Sequence, residues 1–208
     1  MTKVLIIYYS AYGHILKMAK TIKKELDNLE DAEIKMLRVP EFETAKKNMS
    51  GQEAYDNAQK LQKEIPEAEV EDLVWADGII WGIPTRFGNM PAQLKQFIDQ
   101  AGGLWQEGKL EDVFTGIMTS TNTMHGGQET TIISSIIPMI HLGMVYVGLP
   151  YGDNPELFVT EAKGGSPYGA STVAGADGSR TPDENELKMA VRLGKRVYKF
   201  AKSYKENG

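Results

Sequence analysis

The stretch "SAYGHI", residues 10–15, joins an apolar run to a helical pattern and carries groups that suit an anion. The Ser10 hydroxyl can donate a hydrogen bond, Gly13 lets the backbone approach a ligand closely, and His14 adds a further donor. The free N–H groups of a helix start point the same way, which suits a phosphate without any lysine or arginine. The stretch has neither the Walker ending nor a G-x-G-x-x-G pattern, and an ordinary strand-to-helix connection is the alternative.

A second stretch, "GIPTRFGNMP" at residues 82–91, displays Thr85, Arg86 and Phe87 on a loop punctuated by proline and glycine. An arginine and an aromatic directly after a buried strand are unusual if the loop is purely structural. Backbone N–H groups there can bond a planar heteroaromatic ring, with Phe87 or Arg86 beside it. The alternative is a simple turn whose arginine is solvated.

A third stretch, "TSTNTMHGGQE" at residues 119–129, ends another apolar run with small hydroxyl residues and Asn122. Gly126 and Gly127 then open a helical pattern. These groups can hold a ribityl chain or the edge of a ring, and a flexible loop is the alternative.

Four short apolar runs at residues 3–10, 78–85, 113–121 and 144–151 predict the strands that must position these loops. Their consecutive apolar positions are typical of strands buried on both faces of a parallel sheet. A weaker alternating run at residues 32–40 predicts an edge strand. Helical patterns lie between the runs, so we expect an α/β fold, either flavodoxin-like or half of a Rossmann fold. In such sheets ligands sit beyond the carboxyl ends of the strands, where all three loops fall.

Three further segments complete the organisation. Residues 128–142 are apolar on nearly every side and predict a buried helix that Pro138 kinks or ends. Residues 41–72 are polar, with one helix expected around 54–63, and residues 152–181 are rich in glycine and serine. Both exceed what a minimal fold of this kind needs, and such long loops in a compact domain are usually functional, part of an interface or disordered. The sequence shows no internal repeat and no clear second domain, so we expect a single domain of residues 1–208.

Composition excludes several functions. The formal net charge of −5 argues against nucleic acid as a partner, and the lack of cysteine excludes thiolate chemistry and iron–sulfur clusters. Any redox chemistry therefore requires a bound organic cofactor. No apolar run reaches the ~20 residues of a membrane span, and the N-terminus is typical of a strand rather than a signal peptide. No acidic or histidine cluster has metal-ligand spacing. We expect a cytoplasmic protein without a membrane partner or a metal.

The stretches "YYSAYGHI", "GIPTRFGNMPAQLKQFIDQAGGLWQEGKL", "HGGQETT" and "GGSPYGASTVAGADGSR" together resemble the WrbA family across nearly the whole chain. The resemblance implies a flavodoxin-like three-layer sandwich, with a five-stranded parallel sheet in the order 2-1-3-4-5 and helices on both faces. It implies an NAD(P)H:quinone oxidoreductase that binds FMN, uses NADH or NADPH as co-substrate and reduces a quinone by two electrons in a ping-pong cycle. It also implies a homotetramer whose active sites draw walls from neighbouring subunits, with residues 41–72 and 152–181 as the inserted segments that support it.

The resemblance also implies roles for individual residues. FMN contacts would come from Ser10, Ala11, Tyr12, Gly13, His14, Ile15, Pro84, Thr85, Arg86, Phe87, Ser120, Thr121, Asn122, Thr123, Met124, His125 and Gly126. His141 matches a histidine that faces the flavin pocket, so it is a further expected FMN contact. It is also the expected catalytic residue, donating a hydrogen bond to the quinone oxygen. Trp105 and Phe87 would wall the substrate pocket, and Tyr12 would lie near the nicotinamide.

The sequence departs from the family in two places. The third loop reads "STNTMHGG" where some members have a shorter, glycine-rich version, which leaves the roles of Met124 and His125 open. Leu142 follows His141 where some members carry a second histidine. Two other functions stay open: a one-electron carrier of the flavodoxin type, and a non-enzymatic regulatory flavoprotein.

Overall fold

The computed structural model describes residues 1–158, 160–161 and 163–207, and its centre is a parallel sheet. The strand order is β2-β1-β3-β4-β5, with one further strand paired to β4, which confirms the predicted flavodoxin-like order. The strands are β1 (Thr2–Tyr8), β2 (Ala32–Arg38), β3 (Gly78–Pro84), β4 (Phe114–Thr121), β5 (Val145–Tyr146) and β6 (Ala170–Val173).

The two faces of the sheet carry separate apolar cores, as consecutive apolar residues in a strand require. Every residue of β3 is buried, whereas β2 is only partly buried because it is the edge strand. Val4, Ile6 and Tyr8 of β1 face one core, and Leu5 and Ile7 face the other. The sheet is therefore covered on both sides, which makes a three-layer sandwich.

Helices α1 and α7 cover one face of the sheet, and α4 and α6 contribute to the other core. In chain order the helices are α1 (His14–Leu26), α2 (Glu43–Met49), α3 (Glu53–Gln62), α4 (Ala92–Asp99), α5 (Gly102–Gln106), α6 (Gln128–His141) and α7 (Glu184–Asn207). Short 3₁₀ helices lie at Val70–Trp75, Tyr151–Asp153 and Pro155–Phe158. Within the described residues, each helix is too short or too polar to cross a lipid bilayer.

The fifth position of the sheet is shared by two short strands, and the single strand predicted at 144–151 is wrong in extent. Within the described residues, β5 comprises Val145 and Tyr146, which lie opposite Phe114 and Thr115 at the start of β4, and the Val147 N–H adds one bond to the Thr115 carbonyl. The chain then leaves the sheet and returns as β6, which pairs with the end of β4 over Met118–Thr121. The segment at 152–181, predicted as an insertion, therefore includes a strand of the sheet.

Helix α6 differs from its prediction as a buried helix. Thr131, Ser135 and Met139 are buried, but Ile133 is 42%, Ile137 57% and Ile140 60% exposed. The reason is that the sheet covers only one side of a helix that is apolar all round. Pro138 lies inside the helix, which ends three residues later at His141.

The polar segment at 41–72 contains more structure than its composition predicts. Helix α3 lies close to the predicted position at 54–63, and α2 was not predicted. None of the residues of α2 is buried, so this helix does not need an apolar face. Without an apolar periodicity, the sequence carries no clear signal for a helix there.

Candidate active site

A cavity of about 790 Å³ opens at the carboxyl ends of β1, β3 and β4. Thirteen of the predicted residues line it: Ser10, Ala11, Tyr12, His14, Ile15, Pro84, Thr85, Arg86, Phe87, Ser120, Asn122, Thr123 and Gly126. The three loops that the sequence singled out thus meet at one place, because parallel strands present their carboxyl ends at the same edge.

The first loop presents a concave row of backbone donors. Gly13 adopts a φ of 92°, which turns the chain into α1. The Ser10 Oγ accepts hydrogen bonds from the N–H groups of Gly13 at 3.1 Å and Leu16 at 3.3 Å, so its own proton is available to a ligand. Among the described residues, the N–H groups of Tyr12 and His14 find no acceptor. Together with the positive end of α1, these donors fit a phosphate group.

Helix α3 holds this loop from behind. Gln62 is buried, and its Nε2 donates to the Ser10 carbonyl at 2.9 Å. The Tyr8 hydroxyl donates to Gln62 Oε1 at 3.2 Å, which fixes the orientation of the amide. The polar segment at 41–72 therefore supports the anion site, and Gln52 of that segment also lines the cavity.

The second and third loops are joined to each other below the cavity. The Thr85 N–H donates to the Ser120 carbonyl at 3.0 Å, and the Thr131 hydroxyl donates to Thr85 Oγ1 at 2.8 Å. In the part of the chain that the structure describes, the N–H groups of Phe87 and Asn122 carry no hydrogen bond. Such donors suit the polar edge of a flat heteroaromatic ring, whose nitrogen and carbonyl atoms accept hydrogen bonds.

Phe87 stands out because its side chain is fully exposed and its φ is 54°. Positive φ is uncommon for a bulky residue, and such residues occur in tight turns and cluster at functional sites. The neighbouring Arg86 guanidinium bonds the Thr85 carbonyl at 2.9 Å, so it caps the turn instead of pointing at a carboxylate. The backbone pair between Arg86 and Asn89 closes the same turn.

A fourth wall of the cavity was missed by sequence reasoning. It is formed by Ala174, Ala176, Asp177 and Gly178, directly after β6. The glycine-rich composition of "VAGADGSR" was the available signal, but it indicated only an inserted loop. We call residues 174–180 the fourth loop.

Glu186, at the start of α7, anchors the fourth loop. Its side chain is completely buried and accepts hydrogen bonds from the N–H groups of Gly164 at 2.9 Å, Val173 at 3.2 Å and Asp183 at 2.9 Å. Arg180 Nη1 donates to both carboxylate oxygens, at 3.0 and 2.9 Å. The same Arg180 nitrogen also donates to the Val173 carbonyl at 2.6 Å. One buried carboxylate therefore joins β6, the fourth loop and α7.

His14 connects the first loop to the fourth. Its Nε2 donates to the Gly178 carbonyl at 3.1 Å, so this ring nitrogen bonds the protein backbone and is not free to donate to a ligand. Burial lowers the pKa of His14 below its ordinary value of 6.5, because desolvation outweighs the hydrogen bonds from the ring to backbone carbonyls.

We expect His14 to make the cofactor-free protein less stable as the pH falls below 6.5. Above that pH both the folded and the unfolded chain keep the imidazole neutral. Below it the unfolded chain takes up the proton first, so the free energy of unfolding decreases until the pH reaches the lowered pKa of the folded state. Urea denaturation at pH 7.5, 6.5 and 5.5 measures this loss, and His14→Gln should show a smaller one. Parallel pH profiles for the two proteins would contradict the prediction.

Six predicted site residues do not line the first cavity. Gly13 and Thr121 shape its loops from behind, and Met124 and His125 are exposed beside it. His141 and Trp105 instead line a second cavity of about 680 Å³, together with Ile98 and Ile137. His141 ends α6, whereas the first cavity lies at the other end of that helix, about 20 Å away at the rise of an α-helix.

The fold and the first cavity define a flavodoxin-like protein with a site for a phosphorylated, flat heteroaromatic ligand. The donors present are suited to FMN, whose phosphate would lie at the first loop and whose ring edge would lie at the second and third loops. The chain belongs to the NADPH-dependent FMN reductase family, whose sequence profile matches residues 2–152.

Named relatives agree with this family assignment, and a solved structure agrees with the fold. A protein of Aromatoleum aromaticum named NAD(P)H dehydrogenase (quinone) is 46% identical over 96% of this chain and 95% of its own. A protein of Syntrophobacter fumaroxidans with the same name is 45% identical over 99% of this chain and 100% of its own. A flavodoxin, WrbA-like protein from Agrobacterium tumefaciens has a similar structure, with a TM-score of 0.65 at 19% identity over 98% of this chain and 99% of its own. This structural likeness supports the fold alone.

Proposed function

We propose that this protein is an FMN-dependent NAD(P)H:quinone oxidoreductase that uses NADH or NADPH to reduce quinones to hydroquinones by two electrons. The observation that carries the proposal is the convergence of three strand-end loops and the start of α1 on one cavity with unpaired N–H donors. The full-length relatives named NAD(P)H dehydrogenase (quinone) support the choice of substrates.

In this proposal the chain binds and orients FMN and controls access to it. FMN, when bound, accepts a hydride from the nicotinamide and passes two electrons to the quinone. Ser10 and the N–H groups at the start of α1 hold the phosphate, and the N–H groups of Phe87 and Asn122 bond the ring edge. NAD(P)H and the quinone occupy the same open side in turn, a ping-pong sequence. NAD(P)H, the quinone and one proton from solvent then yield NAD(P)⁺ and the hydroquinone.

We also propose that the active form is a homotetramer, in which His141 and Trp105 serve the cavity of a neighbouring copy. Two observations support this. His141 lies at the far end of α6 from the cavity of its own chain. The outer face of α6 is apolar and exposed at Ile133, Ile137 and Ile140, and Ile137 lines the second cavity together with the exposed Trp105. His141 would donate a hydrogen bond to the quinone oxygen, and Trp105 and Phe87 would wall the substrate. A monomer in sedimentation velocity would contradict this part of the proposal.

We assign the protein to the cytoplasm, where reduced nicotinamide nucleotides are formed.

The experiment that tests the proposed activity is an anaerobic titration. The protein is loaded with FMN, NADH or NADPH is added, and the flavin absorbance is followed; benzoquinone is added afterwards. We expect the nucleotide to bleach the flavin and the quinone to restore it in equal two-electron amounts, without a semiquinone band.

Two other outcomes would each overturn the proposed activity. Bound FMN that neither nucleotide reduces, or that passes through a stable semiquinone, would indicate a one-electron carrier. Failure to bind FMN would leave a regulatory protein without flavin chemistry.

A further inference from the structure

A groove beside the flavin cavity runs along the outer surface of α1. It has a volume of about 480 Å³ and is lined by the side chains of Lys17, Lys20 and Lys24. These positions lie three and four residues apart, so they share one face of the helix. We call this the basic groove.

The lysines of the basic groove are not neutralised by the protein. Lys17 donates to the Thr181 hydroxyl at 3.2 Å and the Pro182 carbonyl at 3.1 Å, and Lys20 donates to the Leu61 carbonyl at 2.8 Å. All three acceptors are uncharged. Among the described residues, no carboxylate lies within 4.0 Å of the Lys17, Lys20 or Lys24 ammonium groups. In a chain of net charge −5, three unpaired lysines along one groove make a local site for an anion.

Most of the remaining groove surface is apolar, although the Thr21 and Thr181 side chains also line it, and this apolar surface argues for an organic anion rather than an inorganic one. Leu16, Leu61 and Pro182 line it between the lysines, and the Leu61 side chain is 65% exposed. A flat base can cover such a surface while a phosphate on its sugar reaches the ammonium groups. An adenosine phosphate has both parts.

The position of the groove relative to the flavin cavity indicates which molecule carries this adenosine phosphate. Tyr12, His14 and Gly178 line both spaces, so they form a common rim. From His14, Lys20 and Lys24 lie about 9 and 15 Å further along the axis of α1. A dinucleotide whose nicotinamide faces the flavin must place its adenosine half outside the flavin cavity, and the basic groove begins at that rim.

We propose that the basic groove binds the adenosine half of NADPH, with Lys20 and Lys24 holding its 2′-phosphate. This inference rests on the proposed function and adds a preference to it: NADPH binds more tightly than NADH. The two co-substrates differ only in this phosphate, which carries close to two negative charges at neutral pH, and lysine binds phosphate as a point charge.

The test compares Lys20→Gln/Lys24→Gln with Lys60→Gln/Lys63→Gln, both as FMN-loaded protein. Lys20 and Lys24 are exposed, so their replacement leaves the core intact. Lys60 and Lys63 lie at the end of the neighbouring helix α3, are also exposed and do not line the groove. The control variant therefore removes two positive charges, as the groove variant does. Calorimetry measures the binding of adenosine 2′,5′-bisphosphate and of 5′-AMP, and anaerobic stopped flow measures the flavin reduction by NADPH and NADH.

We expect wild-type protein to bind the bisphosphate roughly tenfold more tightly than 5′-AMP, an advantage that falls as salt is raised. The groove variant should lose that advantage, and its half-saturating NADPH concentration should rise about tenfold while that for NADH changes less than twofold. The control variant should behave like wild type. Equal binding of the two adenosine nucleotides by wild type, or equal effects of both double variants, would overturn the inference. Reduction of the flavin by NADH in those same experiments would leave the proposed activity intact, so the two failures are distinguishable.

Discussion

Glu186→Gln should lower the free energy of unfolding by about 3–5 kcal/mol, the usual cost of breaking a buried ion pair on one side. The carboxylate of Glu186 is completely buried and accepts from three backbone N–H groups and from Arg180. A glutamine places an NH₂ group where one carboxylate oxygen was, so at least one backbone donor faces another donor. Arg180 also loses the buried one of its two carboxylate partners and keeps only Asp183.

The same substitution should weaken FMN binding, because Glu186 positions the fourth loop without touching the cavity. Arg180 donates its backbone N–H to Ala174 at 2.8 Å, and Ala174 lines the cavity. Without the Glu186 carboxylate, the Arg180 side chain keeps only the Asp183 carboxylate and the Val173 carbonyl as partners, so the wall after β6 is held more weakly. We expect the FMN dissociation constant to rise at least tenfold, since a preformed wall must then be ordered by the ligand.

The matched control is Glu184→Gln, two residues earlier in α7. Glu184 pairs with Lys188 at 2.7 Å, but its side chain is 82% exposed, so the change should cost less than about 1 kcal/mol. Urea denaturation of the cofactor-free proteins gives the stabilities, and FMN fluorescence quenching at low temperature, where both variants are folded by circular dichroism, gives the affinities. Similar FMN affinities for Glu186→Gln and Glu184→Gln would contradict the positioning role.

The parts of the site that could be predicted from sequence are those set by local pattern. Consecutive apolar residues in β1, β3 and β4 predict buried parallel strands, and the loops that follow them carry glycine, proline and hydroxyl residues. Parallel pairing then brings those loops together without further information. The lining by Ser10, Thr85 and Asn122 follows from these two steps, whereas the strand order was implied by the resemblance to the WrbA family.

The fourth loop could not be predicted because its place depends on long-range pairing. Nothing in "ASTV" distinguishes β6 from a loop until Ser171 and Thr172 lie opposite Thr119 and Ser120 of β4. The anchoring role of Glu186 could not be predicted for the same reason. In sequence it is one of several acids before a helix, where acids are common, and only the folded chain buries it beneath Arg180.

Helix α6 shows a different limit of sequence reasoning. Its residues are apolar on every side, which predicts burial, but the pattern does not say what covers each side. The sheet covers Ile132 and Met139, and Ile137 and Ile140 stay exposed in this chain. The environment of His141, at the end of the same helix, therefore depends on contacts that residue spacing within one chain does not specify.

Gly127→Ala should weaken FMN binding by at least tenfold and lower the free energy of unfolding by about 1–3 kcal/mol. Gly127 precedes α6 with a φ of 97°, a conformation that side chains rarely adopt. A Cβ atom there would lie 2.9 Å from Gly88 Cα and 3.0 Å from Thr130 Oγ1. Because Gly88 is backbone of the second loop and Gly127 closes the third, relief of this contact must move the two loops apart. The N–H groups of Phe87 and Asn122 then no longer face one ring.

Gly51→Ala separates this effect from conformational strain alone. Gly51 has a φ of 88°, and a Cβ atom there would meet nothing within 4 Å. Gly51→Ala should therefore lower the free energy of unfolding by about 1–2 kcal/mol, because alanine is strained in a left-handed backbone conformation. It should leave the FMN affinity within twofold of wild type. Urea denaturation and FMN titration of both variants give the comparison. If Gly127→Ala binds FMN as tightly as Gly51→Ala, the spacing of the second and third loops does not set the flavin site, and the first loop must supply most of the affinity.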